Sequence, residues 1–140
     1  MTDTPISLAS LMTPSKTVSV DYPGLTGFSV DLCYLAREEL IKVRKKCITN
    51  KWNKRTHQPE EELDDDKFLT EYTKAVIKDW KGLKYRYLEE LLLVDISSLD
   101  PDDELAYTQE NAELLMKNAT TFDSWITDNV GDLENFTGDK

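Results

Sequence analysis

Two stretches of strict alternation flank a turn near the start of the chain. Val18, Val20 and Tyr22 interleave with Ser19 and Asp21, and Phe28, Val30 and Leu32 interleave with Ser29 and Asp31. Pro23-Gly24-Leu25-Thr26-Gly27 lies between them. A period of two on both sides of a Gly/Pro turn predicts a β-hairpin over residues 16–32. The period then lengthens. Cys33, Ala36, Leu40, Val43 and Cys47 recur at steps of three and four, the spacing of one helical face. This predicts a helix over 32–50 with Asp31 as its N-cap. Asp64-Asp65-Asp66 opens a second helix over 64–81, with Phe68, Leu69, Tyr72, Val76 and Trp80 as its apolar stripe and Gly82 as its stop. A third helix over 84–93 carries Leu88, Leu91 and Leu92. Asp100-Pro101-Asp102-Asp103-Glu104 combines a cap, an N1 proline and an acidic first turn, the signal of a short helix over 101–106. Thr108 caps a helix over 109–118 bearing Ala112, Leu115 and Met116. Phe122, Trp125, Ile126 and Val130 form the face of a last helix over 121–130.

These elements define a small single-domain helical protein, mainly α with an N-terminal β-hairpin (α+β). Its organisation is a flexible arm over 1–15, one globular domain over 16–136 and a tail over 137–140. A lone hairpin is marginal in water, so its apolar face must pack on helices or pair with another chain. The core is expected to include Phe28, Leu40, Val43, Phe68, Tyr72, Trp80, Leu88, Leu115, Phe122 and Trp125. Residues 53–62 read as a polar connection. Apolar residues that a core of this size can spare lie at the two ends. Leu8, Leu11 and Met12 in the arm, with Leu133 and Phe136 near the C-terminus, are the candidate partner-binding residues.

Composition narrows the class. With 39% hydrophobic and 31% charged residues, a chain of 140 residues reads as one soluble globular domain. Its longest apolar run, Leu91-Leu92-Leu93-Val94, is far short of a membrane span. No charged segment followed by an apolar one opens the chain, so a cytoplasmic location is expected. The net charge of -10 favours solubility and disfavours polyanions. The charge is segregated: Arg37, Lys42, Arg44, Lys45, Lys46, Lys51, Lys54 and Arg55 cluster in one segment, whereas Glu60–Asp66 and most of the chain after Asp95 are acidic. The basic segment reads as a solvated helix face, or one that meets an acidic face of the same or another subunit.

Catalytic chemistry has little support. No Gly-rich phosphate loop precedes a helix, and no Cys-x-x-Cys or His-x-x-x-His pair exists. His57 stands alone beside Pro59, which rules out a triad and leaves an exposed loop residue. Paired carboxylates are too common in the acidic segments for any pair to stand out. Cys33 and Cys47, placed in one helix, would be ~21 Å apart at 1.5 Å per residue and could not bridge, so they read as small buried hydrophobes. The expectation is a protein that is not an enzyme and takes no cofactor, metal or nucleotide.

Three features together resemble a known family. They are the Leu8-Ala9-Ser10-Leu11-Met12-Thr13-Pro14-Ser15-Lys16 arm, the Tyr22-Pro23-Gly24-Leu25-x-Gly27-Phe28 hairpin, and the Thr108–Ile126 pattern with its closing Leu133-Glu134-Asn135-Phe136. This combination resembles the tail assembly chaperones of bacteriophages with long, non-contractile tails. The resemblance implies a small protein of the host cytoplasm, absent from the mature virion. It implies binding of the tape measure protein, keeping its aggregation-prone helices soluble during tail morphogenesis, with the tail tube protein as a further partner. A homo-oligomer and a longer frameshifted form also follow from the resemblance. It implies no contact with nucleic acid or membrane. Two other classes stay open at this point: a structural head-tail or tail component of a virion, and a small nucleic-acid-binding regulator using the basic helix.

Overall fold

The hairpin forms where the alternation puts it, in a computed structural model that describes residues 5–13 and 15–131. Strand β1 (Ser15–Asp21) runs antiparallel to β2 (Ser29–Leu35), with Val18 opposite Leu32 and Val20 opposite Val30. The turn closes with the Tyr22 amide donating to the Phe28 carbonyl at 2.9 Å. Gly24 and Gly27 both take φ +85°, a backbone that strains any side chain with a Cβ. Before β1, Leu8–Leu11 make a single helical turn, α1, with no buried residue.

The next segment departs from its sequence pattern. β2 runs on through Leu35, and α2 (Arg37–Lys46) begins only after Ala36, so no helix spans 32–50. Asp31 lies within β2 and caps nothing. Cys33 is a strand residue and Cys47 is the residue that ends α2, so the two thiols do not share a helix, although both are buried. Residues 53–62 are not an irregular connection either. β3 (Ile48–Asn53) and β4 (Gln58–Leu63) pair antiparallel as a second, two-stranded sheet. At its turn the Asn53 side-chain oxygen accepts from the Arg55 and Thr56 amides at 2.8 and 3.2 Å. His57 supplies the left-handed residue at φ 56°, a role usually left to Gly or Asn.

Helix α3 (Asp65–Val76) is capped by Asp64, whose carboxylate accepts from the Lys67 amide at 3.1 Å. It does not reach residue 81. The chain leaves the helix at Ile77 and forms β5 (Ile77–Lys81) on the free edge of β2, giving a three-stranded sheet of order β1-β2-β5. Trp80 and Ile77 are three apart, which reads as a helical step. In the sheet, a bulge opposite the Asp31/Leu32 step places both on the same side as Val30 and Leu32.

The last three helices, α4 (Tyr85–Leu91), α5 (Gln109–Asn118) and α6 (Thr120–Val130), match their patterns closely. Thr108 caps α5, accepting from the Asn111 amide at 3.0 Å. No helix forms over 101–106. There the Leu105 amide donates to the Leu83 carbonyl at 2.8 Å, and Lys84 and Glu104 form an antiparallel bridge. These long-range bonds override the local helix-start signal. The domain is therefore mixed α+β, with five strands in two antiparallel sheets and six helices among the described residues. It is not a mainly helical protein with one hairpin.

The core lies against β2, which both α3 and α6 contact. Phe28, Val30, Leu32, Ile77, Phe122 and Ile126 are fully buried. Tyr22, Phe28 and Phe122 gather with ring centroids 5.5–6.5 Å apart, and Trp125 lies 4.7 Å from Tyr22. Trp80 donates its indole N–H to the Leu105 carbonyl at 2.9 Å and meets Tyr107 edge-on. Of the expected core, Phe28, Trp80, Leu88, Leu115 and Phe122 are buried, and Val43, Phe68, Tyr72 and Trp125 are half-buried. Leu40 is exposed. The shortened α2 has lost the first two members of its stripe to β2 and its exit, and it buries no residue completely.

Two substitutions test this packing. Gly82 takes φ +77°, and a Cβ there would lie 1.9 Å from the Gly27 carbonyl oxygen. Gly82→Ala is expected to cost at least about 3 kcal/mol, from overpacking together with left-handed strain, in urea unfolding. An unchanged midpoint would mean that the two turns do not touch. Thr73 is fully buried in α3, and its hydroxyl has no hydrogen-bond partner among the described residues. Thr73→Val should stabilise the fold by roughly 1–2 kcal/mol, because it removes a desolvated polar group at almost constant shape. A destabilised variant would contradict that account.

Candidate partner-binding surface

The apolar run Leu91–Val94 ends a helix instead of continuing it. Leu91 is the last residue of α4 and is buried; Leu92 turns extended at φ -157°, and Leu93 and Val94 follow it outward. Leu93 is fully exposed. Leu92, Leu93 and Val94, together with Leu88, Leu105 and Leu114, line a groove of about 520 Å³ between the end of α4 and α5. Its rim asparagines are partly occupied. Asn118 donates to the Leu114 carbonyl at 3.0 Å and Asn111 to the Ala106 carbonyl at 3.1 Å. Each asparagine thus has one amide N–H tied down within the chain, and aliphatic side chains dominate the groove's lining.

A second groove of about 520 Å³ lies between α3 and α5, walled by Leu69 and Leu114 and rimmed by Asp66, Glu110 and Glu113. Glu113 is held in place: it accepts from the Thr70 hydroxyl at 2.6 Å and from the Gln109 amide at 3.0 Å. A third groove, about 440 Å³, opens between α2, α3, α5 and α6, with Leu40, Phe68, Leu69, Tyr72 and Met116 on its walls. Leu114 belongs to the first two grooves and Leu69 to the last two. The three depressions therefore join into one tract across the α3–α5 side.

Electrostatics sharpens the third groove. Burial holds the Asp123 carboxyl above its ordinary value of 3.8. Burial also raises the Tyr72 hydroxyl, a hydrogen bond with Thr127 opposes that, and the charge of Asp123 adds to the rise. Asp123 has no ion-pair partner among the described residues. Among the described residues, no group of three or more His, Cys, Asp and Glu side chains could hold a metal ion, and no helix is long and apolar enough to cross a membrane.

The sequence profile of the YdaY prophage protein family matches residues 36–140. The chain belongs to that family. It is a phage-derived protein. No curated protein and no solved structure matches it. The matched region starts just before α2, so β1 and β2 lie outside it, although β5 and the helices within it complete the sheet around β2.

The residues that the sequence marked for partner contact are placed as follows. Leu8 and Leu11 sit on α1 and Met12 ends it, all three exposed and away from the α3–α5 tract. Leu133 and Phe136 lie outside the described residues. The tract itself was not anticipated, yet it left a trace in the sequence. Leu114 stands off the Ala112–Leu115–Met116 stripe of α5, and Leu93 and Val94 follow the last residue that α4 can bury. Apolar residues in excess of a helical stripe are the signal.

The raised carboxyl of Asp123 gives a pH test. A folded value above the unfolded one means that folding favours the protonated form. That stabilisation is present below about pH 3.8 and is lost as pH rises through the raised value. At pH 7 the charge is a cost, and Asp123→Asn should raise Tm slightly there and bring no gain at pH 3. A lower Tm at pH 7 would show that the carboxylate makes a favourable contact in the folded chain.

Proposed function

We propose that this phage protein is a tail assembly chaperone: it binds the tape measure protein, and secondarily the tail tube protein, and keeps them soluble while the tail forms. The observation that carries the reading is the groove between α4 and α5. Leucines and Val94 make up most of its lining, each rim asparagine has an amide N–H bonded within the chain, and Leu93 and Leu114 stand exposed beside it. Such a groove takes the apolar face of a helix, anchored at i, i+3 or i+4 positions. The tape measure client would supply the long apolar seams. The net charge of -10 makes each complex repel the next and so opposes co-aggregation. On this reading the protein is no enzyme, works in the host cytoplasm and is absent from the finished virion. Leu8, Leu11 and Met12 on the arm, with Leu133 and Phe136, add secondary contacts to the client.

Co-expression with a tape-measure-like helical protein tests the proposal. The wild-type chain should keep most of that client in the soluble fraction. Leu93→Asp with Leu114→Asp, both at exposed positions, should at least halve the soluble client while leaving the melting temperature unchanged. Deleting residues 1–14 should give a smaller loss. A client that stays insoluble beside the wild-type chain sinks the chaperone reading. A client that the groove variant protects as well as wild type does moves the contact off this groove. Detection of the protein in purified virions would favour a structural tail component instead.

A further inference from the structure

The β3–β4 hairpin is built like an arm. Its strands pack chiefly on each other, and no residue in either is buried. Register sorts its side chains: Ile48 faces Leu63 at the base, Asn50 faces Glu61, and Trp52 faces Pro59 near the turn, all on one side. Trp52 is 58% exposed. A two-stranded hairpin with an open indole is marginal in water and gains most from a surface to lie on. Its far end is basic. Lys51 pairs with Glu62 at 3.5 Å, but Lys54 and Arg55 at the turn have no ion pair among the described residues.

The arm as a whole is balanced, with Lys51, Lys54 and Arg55 against Glu60, Glu61 and Glu62, and the two unpaired cations sit at its turn; the other basic side chains of residues 37–55 lie on α2. Residues 37–55 hold eight of the 17 basic side chains and only two of the 27 acidic ones, so the rest of the molecule is strongly acidic. The groove between α3 and α5 joins that acidic charge to an apolar wall. Asp66, Glu110 and Glu113 rim it beside Leu69 and Leu114, with Lys117 as the one cation of its lining. None of these three acids has an ion-pair partner among the described residues. The Thr70 and Gln109 bonds hold Glu113 in position before any partner arrives. No residue of the arm lines this groove within one copy.

We propose that the β3–β4 arm of one copy seats in the α3–α5 groove of a second copy, with Trp52 against Leu69 and Leu114 and with Lys54 and Arg55 against Asp66 and Glu110. Arm and groove are different surfaces, so the contact is head-to-tail. Each copy keeps one free arm and one free groove, and association continues until a ring closes or a filament grows. The ion pairs lie at an exposed rim and set register and salt dependence, while the indole supplies the apolar anchor.

Sedimentation equilibrium of the full chain at 0.15 M and 1 M NaCl tests this. The wild type should self-associate at the lower salt, and its association constant should fall at least tenfold at the higher. Trp52→Ser should also lower it at least tenfold. A chain with Lys54→Glu and Arg55→Glu should be monomeric, as should a chain with Asp66→Lys and Glu110→Lys. An equal mixture of these two reversed chains should associate as the wild type does, because each arm again faces a groove of opposite sign. All five positions are exposed, so the variants should keep the fold, with Asp66→Lys and Glu110→Lys melting slightly earlier because they reverse acids in the first turns of α3 and α5. A wild type that stays monomeric overturns the proposal, as do charge variants that associate normally or a mixture that remains monomeric. A wild type that binds double-stranded DNA, loses it on Lys54→Glu and Arg55→Glu, and never self-associates would assign the arm to nucleic acid and refute the second copy as its occupant.

Discussion

Strand β2 is the constraint from which the rest of the fold follows. Its first five residues are buried or nearly so, and buried backbone amides and carbonyls must find partners. β1 pairs with one edge through the hairpin. The other edge has to be filled by a distant segment, and Ile77–Lys81 fills it. That requirement ends α3 at Val76, although the apolar stripe continues in phase to Trp80. It also places Gly82 so close to Gly27 that no side chain fits between them. The chain leaving Gly82 then pairs with residues 103–105, and Trp80 fastens the same segment through its indole N–H. One buried strand thus determines where a helix stops, where a glycine must stand and why an acidic segment stays extended.

The surface reflects how that core is filled. Helix α6 delivers Phe122 and Ile126 to the sheet, and α3 delivers Val76, so the middle of the domain is complete without α2 or the outer side of α5. Leu40, Leu114, Leu93 and Val94 are left outside it. They border the tract that four helices and the end of a fifth build between them. An apolar tract on so acidic a chain can stay open in solution, because like charge keeps copies from meeting tract to tract. The two proposed occupants answer this differently, one with an apolar helix of little charge and the other with a basic group at the rim. Both possibilities give the segregation of charge along the sequence a physical role.

The elements that were legible in the sequence are those held by local signals. The β1–β2 hairpin has alternation and a glycine turn. Helices α4, α5 and α6 have stripes, and α5 also has a cap at Thr108. Each is short-range, and the tertiary structure agrees with each. The misreadings have one form: a local pattern that fits two structures. Cys33 and Ala36 continue a helical step backwards from Leu40, but Leu32 and Cys33 also continue a strand. Ile77 and Trp80 are a helical pair that a bulge turns into a sheet pair. The β3–β4 arm gave little alternation to read, because Asn50 and Glu61 interrupt its one apolar side and its turn uses His57 where glycine or asparagine would have marked it.

The sequence by itself determined the charge, the hairpin and the three late helices, because all of these depend on residues near one another along the chain. Only the tertiary structure decided the five-stranded, mixed α+β architecture and the joined grooves of the α3–α5 side. Strand partners and groove walls come from residues tens of positions apart. Their pairing is chosen by which buried backbone remains unsatisfied and which apolar residues the core leaves out, and neither quantity is written in any local stretch of sequence.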